Sequence, residues 1–172
     1  SSILQANAKD LEFAERENIP GPLIARLRLN ENKVIGMAKG IRSVVGLEDP
    51  VGQQQMAMEM DQGLTLYRMA CPIGVIGAIF ESRPDAVPQI SSLCLKSGNA
   101  VILKGGREAQ HSNKMIVSLI RDAIQSISGV PIGAVQMIET RSEVADMLKE
   151  DKNINLVVPR GSNEFVKYIQ EN

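Results

Sequence analysis

Residues 72–108, PIGVIGAIFESRPDAVPQISSLCLKSGNAVILKGGRE, decide the fold. The run Val75-Ile76-Gly77-Ala78-Ile79-Phe80 is short, β-branched and bounded by Pro and Gly. A strand buried on both faces has that composition. The run stops at Glu81-Ser82-Arg83-Pro84-Asp85, and a helical pattern follows from Ala86 to Gly98-Asn99. A second apolar run, Ala100-Val101-Ile102-Leu103, then feeds Lys104-Gly105-Gly106-Arg107-Glu108. This is a β-α-β unit with charges and glycines at the ends of both strands. Open α/β sheets bind ligands outside the carboxyl ends of their strands.

Downstream, the same alternation continues. A helix is expected from about Glu108 to Ile127, a strand over Ala134–Ile138, a capping box at Thr140-Arg141-Ser142-Glu143, and a strand over Ile154–Val158. Pro159-Arg160-Gly161-Ser162-Asn163 then leads into a last helix. Four strands alternating with helices predict a Rossmann-like parallel α/β sheet. Asp85 is positioned to cap the helix after Pro84.

Upstream, residues 2–18 predict an amphipathic helix, Pro20-Gly21-Pro22 a break, and Leu23–Leu27 a short helix. Asn30 is placed to cap a helix whose apolar face is Val34, Ile35, Met37, Ala38, Ile41, Val44 and Val45. Residues 53–71 change to a period of two around the turn Asp61-Gln62-Gly63, which predicts a protruding β-hairpin. The expected organisation is an N-terminal helical segment (1–52), the hairpin (53–71) and an α/β domain (72–172).

A chain of 172 residues can bury about 70% of its unfolded surface. The net charge of −1 gives no bulk field for nucleic acid or membrane. No apolar run has the length of a membrane span. Cys71 and Cys94 form neither a zinc pattern nor a disulfide framework and suit a reducing, cytoplasmic setting. No metal site is expected.

At Gly161-Ser162 a strand becomes a helix. Its free N–H groups suit a phosphate, although Ser162 serves equally as an N-cap. Lys104 and Arg107 could hold a ribose and a 2′-phosphate. The alternative is a solvated loop lysine paired with Glu108. Arg83 could take an anion bidentately or pin its own turn through Glu81 or Asp85.

Taken together, PIGVIGAI, ESRPD, LCLKSGNA, LKGGREA and PRGSN resemble the γ-glutamyl phosphate reductases, a branch of the aldehyde dehydrogenase superfamily. The resemblance runs through nearly the whole chain. It implies NADPH-dependent reduction of γ-glutamyl phosphate to glutamate 5-semialdehyde in proline biosynthesis. It implies pyrophosphate contacts at Gly161 and Ser162, and cofactor contacts along Phe80, Glu81, Pro84, Lys104, Gly105, Gly106, Arg107 and Glu108. General aldehyde dehydrogenases carry an oxyanion Asn where this chain has Arg83; with Ser82, Arg83 is expected at the substrate phosphate. The hairpin at 53–71 is expected to join a homo-oligomer. The family attacks with a cysteine thiolate in a segment well beyond PRGS, and neither Cys71 nor Cys94 matches it. The chain alone is therefore expected to be inactive. Two other readings are the reductase half of a bifunctional pyrroline-5-carboxylate synthase and a nucleotide-binding or assembly module without chemistry.

Overall fold

The computed structural model describes residues 1–161 together with Val166, Lys167 and Ile169. Three helices come first: α1 (Ser2–Arg16), α2 (Gly21–Leu27) and α3 (Glu31–Val45). Pro20 and Pro22 explain the break before α2: Pro20 stands at its N-cap, and Pro22 falls in its first turn, where a missing N–H costs little. Asn30 caps α3 as expected, its Oδ1 accepting from Lys33 N at 2.8 Å.

A hairpin follows, β1 (Gln54–Asp61) antiparallel to β2 (Leu64–Met69). Apart from the half-buried Met56, its Met and Leu residues are exposed, Met60 and Leu64 most of all. The rest is a layered α/β unit: β3 (Val75–Phe80), α4 (Ala86–Lys96), β4 (Ala100–Lys104), a 3-10 turn (Arg107–Ala109), α5 (Gln110–Gln125), β5 (Val135–Ile138), α6 (Arg141–Lys149) and β6 (Leu156–Arg160).

The sheet is parallel, in the order β5-β4-β3-β6. The chain steps outward from β3 to β4 to β5, then returns to the other side of β3. The direction in which successive strands are added to the sheet therefore reverses between β3 and β6, and ligands bind at such a switch point. Pro159 lies within β6, which among the described residues pairs only with β3.

One face of the sheet buries Ile76, Ala78, Phe80, Val101 and Leu103 against Val87 and Cys94 of α4 and Ile116, Val117 and Ile124 of α5. Val87, Val101 and Leu103 are almost wholly enclosed, and each stabilises by roughly 1.5–3 kcal/mol. The other face packs Ile79 against Val144 and Met147 of α6. A third cluster joins Ala14, Leu27 and Ala109, which ties α1 and α2 to the turn after β4.

Two expectations are met only in part. The apolar stripe of α3 is only half covered: Val34, Met37, Ala38 and Val44 are half-buried, while Ile35, Ile41 and Val45 are exposed. Its amphipathic period is real, but only Met37 reaches the main core. Asp85 does occupy the N-cap of α4 but makes no capping bond, because its carboxylate turns to Arg83. Boundaries also moved by up to two residues. Ala134 falls in a 3-10 turn rather than in β5, and β6 runs on to Arg160.

Candidate active site

The carboxyl ends of β3, β4 and β6 come together beneath α1 and α2. β3 ends in Glu81-Ser82-Arg83-Pro84-Asp85. Ser82 has a left-handed φ of +44°, a conformation that only a local scaffold sustains in a non-glycine residue. Glu108 is that scaffold. Its Oε1 accepts from Ser82 N at 2.6 Å and from Ser82 Oγ at 2.7 Å. Ser82 is buried, and its hydroxyl is committed to this bond. Pro84 is also buried. The turn thus projects Glu81 and Arg83 outward while Ser82 anchors it to the end of β4. Arg83 reaches Asp85 at 3.5 Å, a long, half-exposed pair of small energetic worth.

Lys104 closes β4. Its Nζ donates to Gly105 O at 2.7 Å. Burial pushes its pKa down; Glu108, Glu143 and Glu81 partly oppose that, and the nearby Arg141 adds to it. Gly105 and Gly106 allow the tight approach that follows. A Cβ on Gly105 would collide with the Asn113 side chain, and one on Gly106 with the Glu108 carboxylate. Arg107 turns away from Lys104, its guanidinium lying over the Phe13 ring of α1 at 5.2 Å. The second cation acting on Lys104 is instead Arg141, at the start of α6, which sequence reasoning read only as part of a capping box. Among the described residues Phe80 is buried behind this crevice, and Gly161 lies exposed at its rim. Ser162 and Asn163 lie outside the described residues.

A cavity of about 650 Å³ opens at the switch point, lined by Leu23, Arg26, Glu81, Arg83, Arg160 and Gly161. Arg83 and Gly161 both line it. So do Arg26 and Arg160, which the sequence reading did not single out. The available signal was the Arg160-Gly161 junction of a strand end. Arg26, some 57 positions from Arg83 along the chain, had none.

Neither cysteine lines this cavity. Cys94 is buried in α4, and desolvation raises its thiol pKa, which suppresses the thiolate. Cys71 is exposed just past the hairpin. His111 pairs through Nδ1 with Asp10 at 2.9 Å, away from the cavity. Among the described residues no group of His, Cys, Asp or Glu is placed to hold a metal ion, and no helix is long and apolar enough to cross a membrane.

The aldehyde dehydrogenase family profile matches residues 3–172. The chain is 54% identical over 170 residues to a γ-glutamyl phosphate reductase of Pelotomaculum thermopropionicum, covering 99% of this chain and 39% of that one. It is 53% identical over 175 residues to the enzyme of that name from Methanosarcina barkeri, with the same coverage. The crystal structure of γ-glutamyl phosphate reductase from Thermotoga maritima superposes with a TM-score of 0.93 at 39% identity, over 99% of this chain and 42% of that one. The Saccharomyces cerevisiae protein of the same name gives 0.91 at 46% identity, over 99% and 44%. The chain thus spans about two fifths of the length of these relatives.

Proposed function

The chain belongs to the aldehyde dehydrogenase family, and from that premise we propose that it forms the cofactor- and substrate-binding part of an NADPH-dependent γ-glutamyl phosphate reductase. The reaction is reduction of an acyl phosphate, with one proton, to an aldehyde and inorganic phosphate. The relatives' shared name supports this substrate. The observation that carries the reading is the crevice itself: Arg83 opens into the cavity at the end of β3, and Lys104 stands at the end of the neighbouring β4.

The residues present suit a phosphorylated dinucleotide. Lys104 is a partly desolvated ammonium, which gains from a phosphate more than a fully hydrated one does. Gly105 and Gly106 let Asn113 and Glu108 pack directly against the backbone after β4, which fixes the Glu108 carboxylate beside Lys104. Glu108 spends one carboxylate oxygen on Ser82 and offers the other to a ribose hydroxyl. Glu81, Pro84, Phe80 and Gly161 lie along the same strand ends. A 2′-phosphate would meet Lys104 together with Arg141 or a rotated Arg107, which favours NADPH over NADH. When bound, the nicotinamide supplies a hydride.

Arg83 neutralises the substrate phosphate, at the cost only of its weak contact with Asp85. Ser82 acts through the backbone, by holding the turn. Among the described residues lining the cavity none is a cysteine, and in this reading the thiolate implied by the family resemblance is not contributed by Cys71 or Cys94. In this reading residues 72–172 carry the cofactor sheet, 1–52 brace it, and 53–71 pair with another subunit in a homo-oligomer. The test is an assay of the longer protein containing these residues, run oxidatively with glutamate semialdehyde, phosphate and NADP⁺, beside the 172-residue chain. Turnover by the longer protein alone is expected. No turnover by it overturns the activity, and turnover by the chain alone overturns the division of labour.

A further inference from the structure

The cavity at the switch point holds more positive charge than its resemblance to a known family explained. Three arginines, the half-exposed Arg83 and the exposed Arg26 and Arg160, line it together with one acidic residue, Glu81. Arg83 makes only its long contact with Asp85. The side chains of Arg26 and Arg160 have no hydrogen bond or ion pair with any other described residue. Three cations around one cavity with no internal partner for two of them are free to bind an anion that enters it.

Arg26 is delivered there by a separately braced element. Leu27, its neighbour, is fully buried against Ala14 and Ala109. The buried Asn7 of α1 donates to Leu27 O and to Ser112 Oγ, each at 3.0 Å, and accepts from Leu29 N at 2.8 Å. These bonds fix the end of α2 to α1 and α5. The Arg26 side chain is thus carried on a backbone that does not have to be ordered when ligand arrives.

We propose that Arg26 and Arg160 complete, with Arg83, an anion site for the substrate, and that Arg26 is its recognition residue from outside the sheet. The ligand class is an amino-acid acyl phosphate, whose phosphate and carboxylate need more than one cation and whose ammonium suits Glu81. This rests on the reading of the crevice as the acyl-phosphate site. The same chemistry could instead serve the cofactor's pyrophosphate, and the experiment separates the two.

Inorganic phosphate and NADP⁺ are titrated separately by calorimetry into the whole chain and into Arg26→Ala, Arg26→Lys and Arg42→Ala, with far-UV circular dichroism to verify folding. Arg42, on exposed α3, controls for loss of bulk charge. Loss of one charge-assisted contact should weaken phosphate binding at least about tenfold in Arg26→Ala, less in Arg26→Lys and not in Arg42→Ala, with NADP⁺ unchanged. The inference is overturned if the folded chain takes no phosphate, if Arg26→Ala matches the wild type, if Arg42→Ala weakens phosphate equally, or if Arg26→Ala weakens NADP⁺ as much as phosphate. Arg26-dependent phosphate binding without any NADP⁺ or NADPH binding would instead count against the proposed reductase and leave this site standing.

Discussion

At Ser82 the backbone adopts a φ that costs a non-glycine residue of order 1 kcal/mol or more. Two bonds to Glu108 hold it there, so that carboxylate couples the end of β3 to the end of β4. Glu108→Ala should destabilise the fold by about 2–3 kcal/mol in urea, as charge-assisted bonds to a buried group are lost. Ser82→Gly in that background should recover part of the loss. An unchanged urea midpoint in Glu108→Ala would contradict this role. Lys104 poses a different problem. Burial lowers its pKa, so its positive charge is lost at a lower pH than that of an exposed lysine. A bound phosphate favours the charged form and draws it back up. NADPH affinity should therefore fall as pH rises, starting below the ordinary lysine range, with proton uptake on binding. Lys104→Met should abolish that slope and weaken NADPH about tenfold without lowering the melting temperature. A slope that survives in Lys104→Met would assign it to another group. The residue types at these positions were legible because they follow strand ends. Their pairings were not. Glu108 bonding Ser82, Arg107 stacking on Phe13 and Arg141 approaching Lys104 all depend on side-chain directions set by tertiary packing.

Among the elements, α6 and the hairpin show how far local chemistry reaches. Thr140 Oγ1 accepts from Glu143 N, and Glu143 Oε2 accepts from Thr140 N, a reciprocal cap read directly from the sequence. The bonds from the Thr140 and Glu139 backbone, then the Thr140 hydroxyl, hold the Glu143 pKa below the usual carboxylate value. A depressed carboxylate contributes stability that is present above its unfolded pKa and is lost as pH falls through the folded one. Thr140→Ala should cost roughly 1 kcal/mol by thermal melting at neutral pH, and less in acid. A cost that is the same at both pH values would show that the cap is not ionic. The hairpin pairs Met58 with Leu66, and exposes both. An isolated apolar hairpin needs a covering surface. Met58→Glu with Leu66→Glu should shift the protein to a smaller species in sedimentation, whereas an unchanged mass would remove the hairpin from any interface. Period two predicted this element correctly because turn and alternation are local. Period 3.6 marked the α3 stripe but not how much of it is covered, because periodicity reports that a stripe exists and not what stands opposite it.

For the molecule as a whole, the order of strands made the site. Apolar runs separated by helical patterns predict a parallel sheet, but not that β6 returns beside β3. That return places Arg160 next to Phe80 in register and creates the cavity at the reversal. Arg26 reaches it only because α1 bolts α2 across the top through Asn7, a polar residue that the sequence left among the charges of an amphipathic helix. Asp10 does the same for α5, accepting from the His111 and Ser112 backbone N–H groups at 2.9 and 2.8 Å. Of the N-terminal helices, α2 lines the cavity and α1 braces α2. The most direct test of the account is a calorimetric titration of the chain with NADPH and, separately, with NADH. Tighter binding of NADPH, lost in Lys104→Met, is the predicted result. Equal affinity for both cofactors, or no binding of either by the folded chain, would contradict a 2′-phosphate site built from these residues.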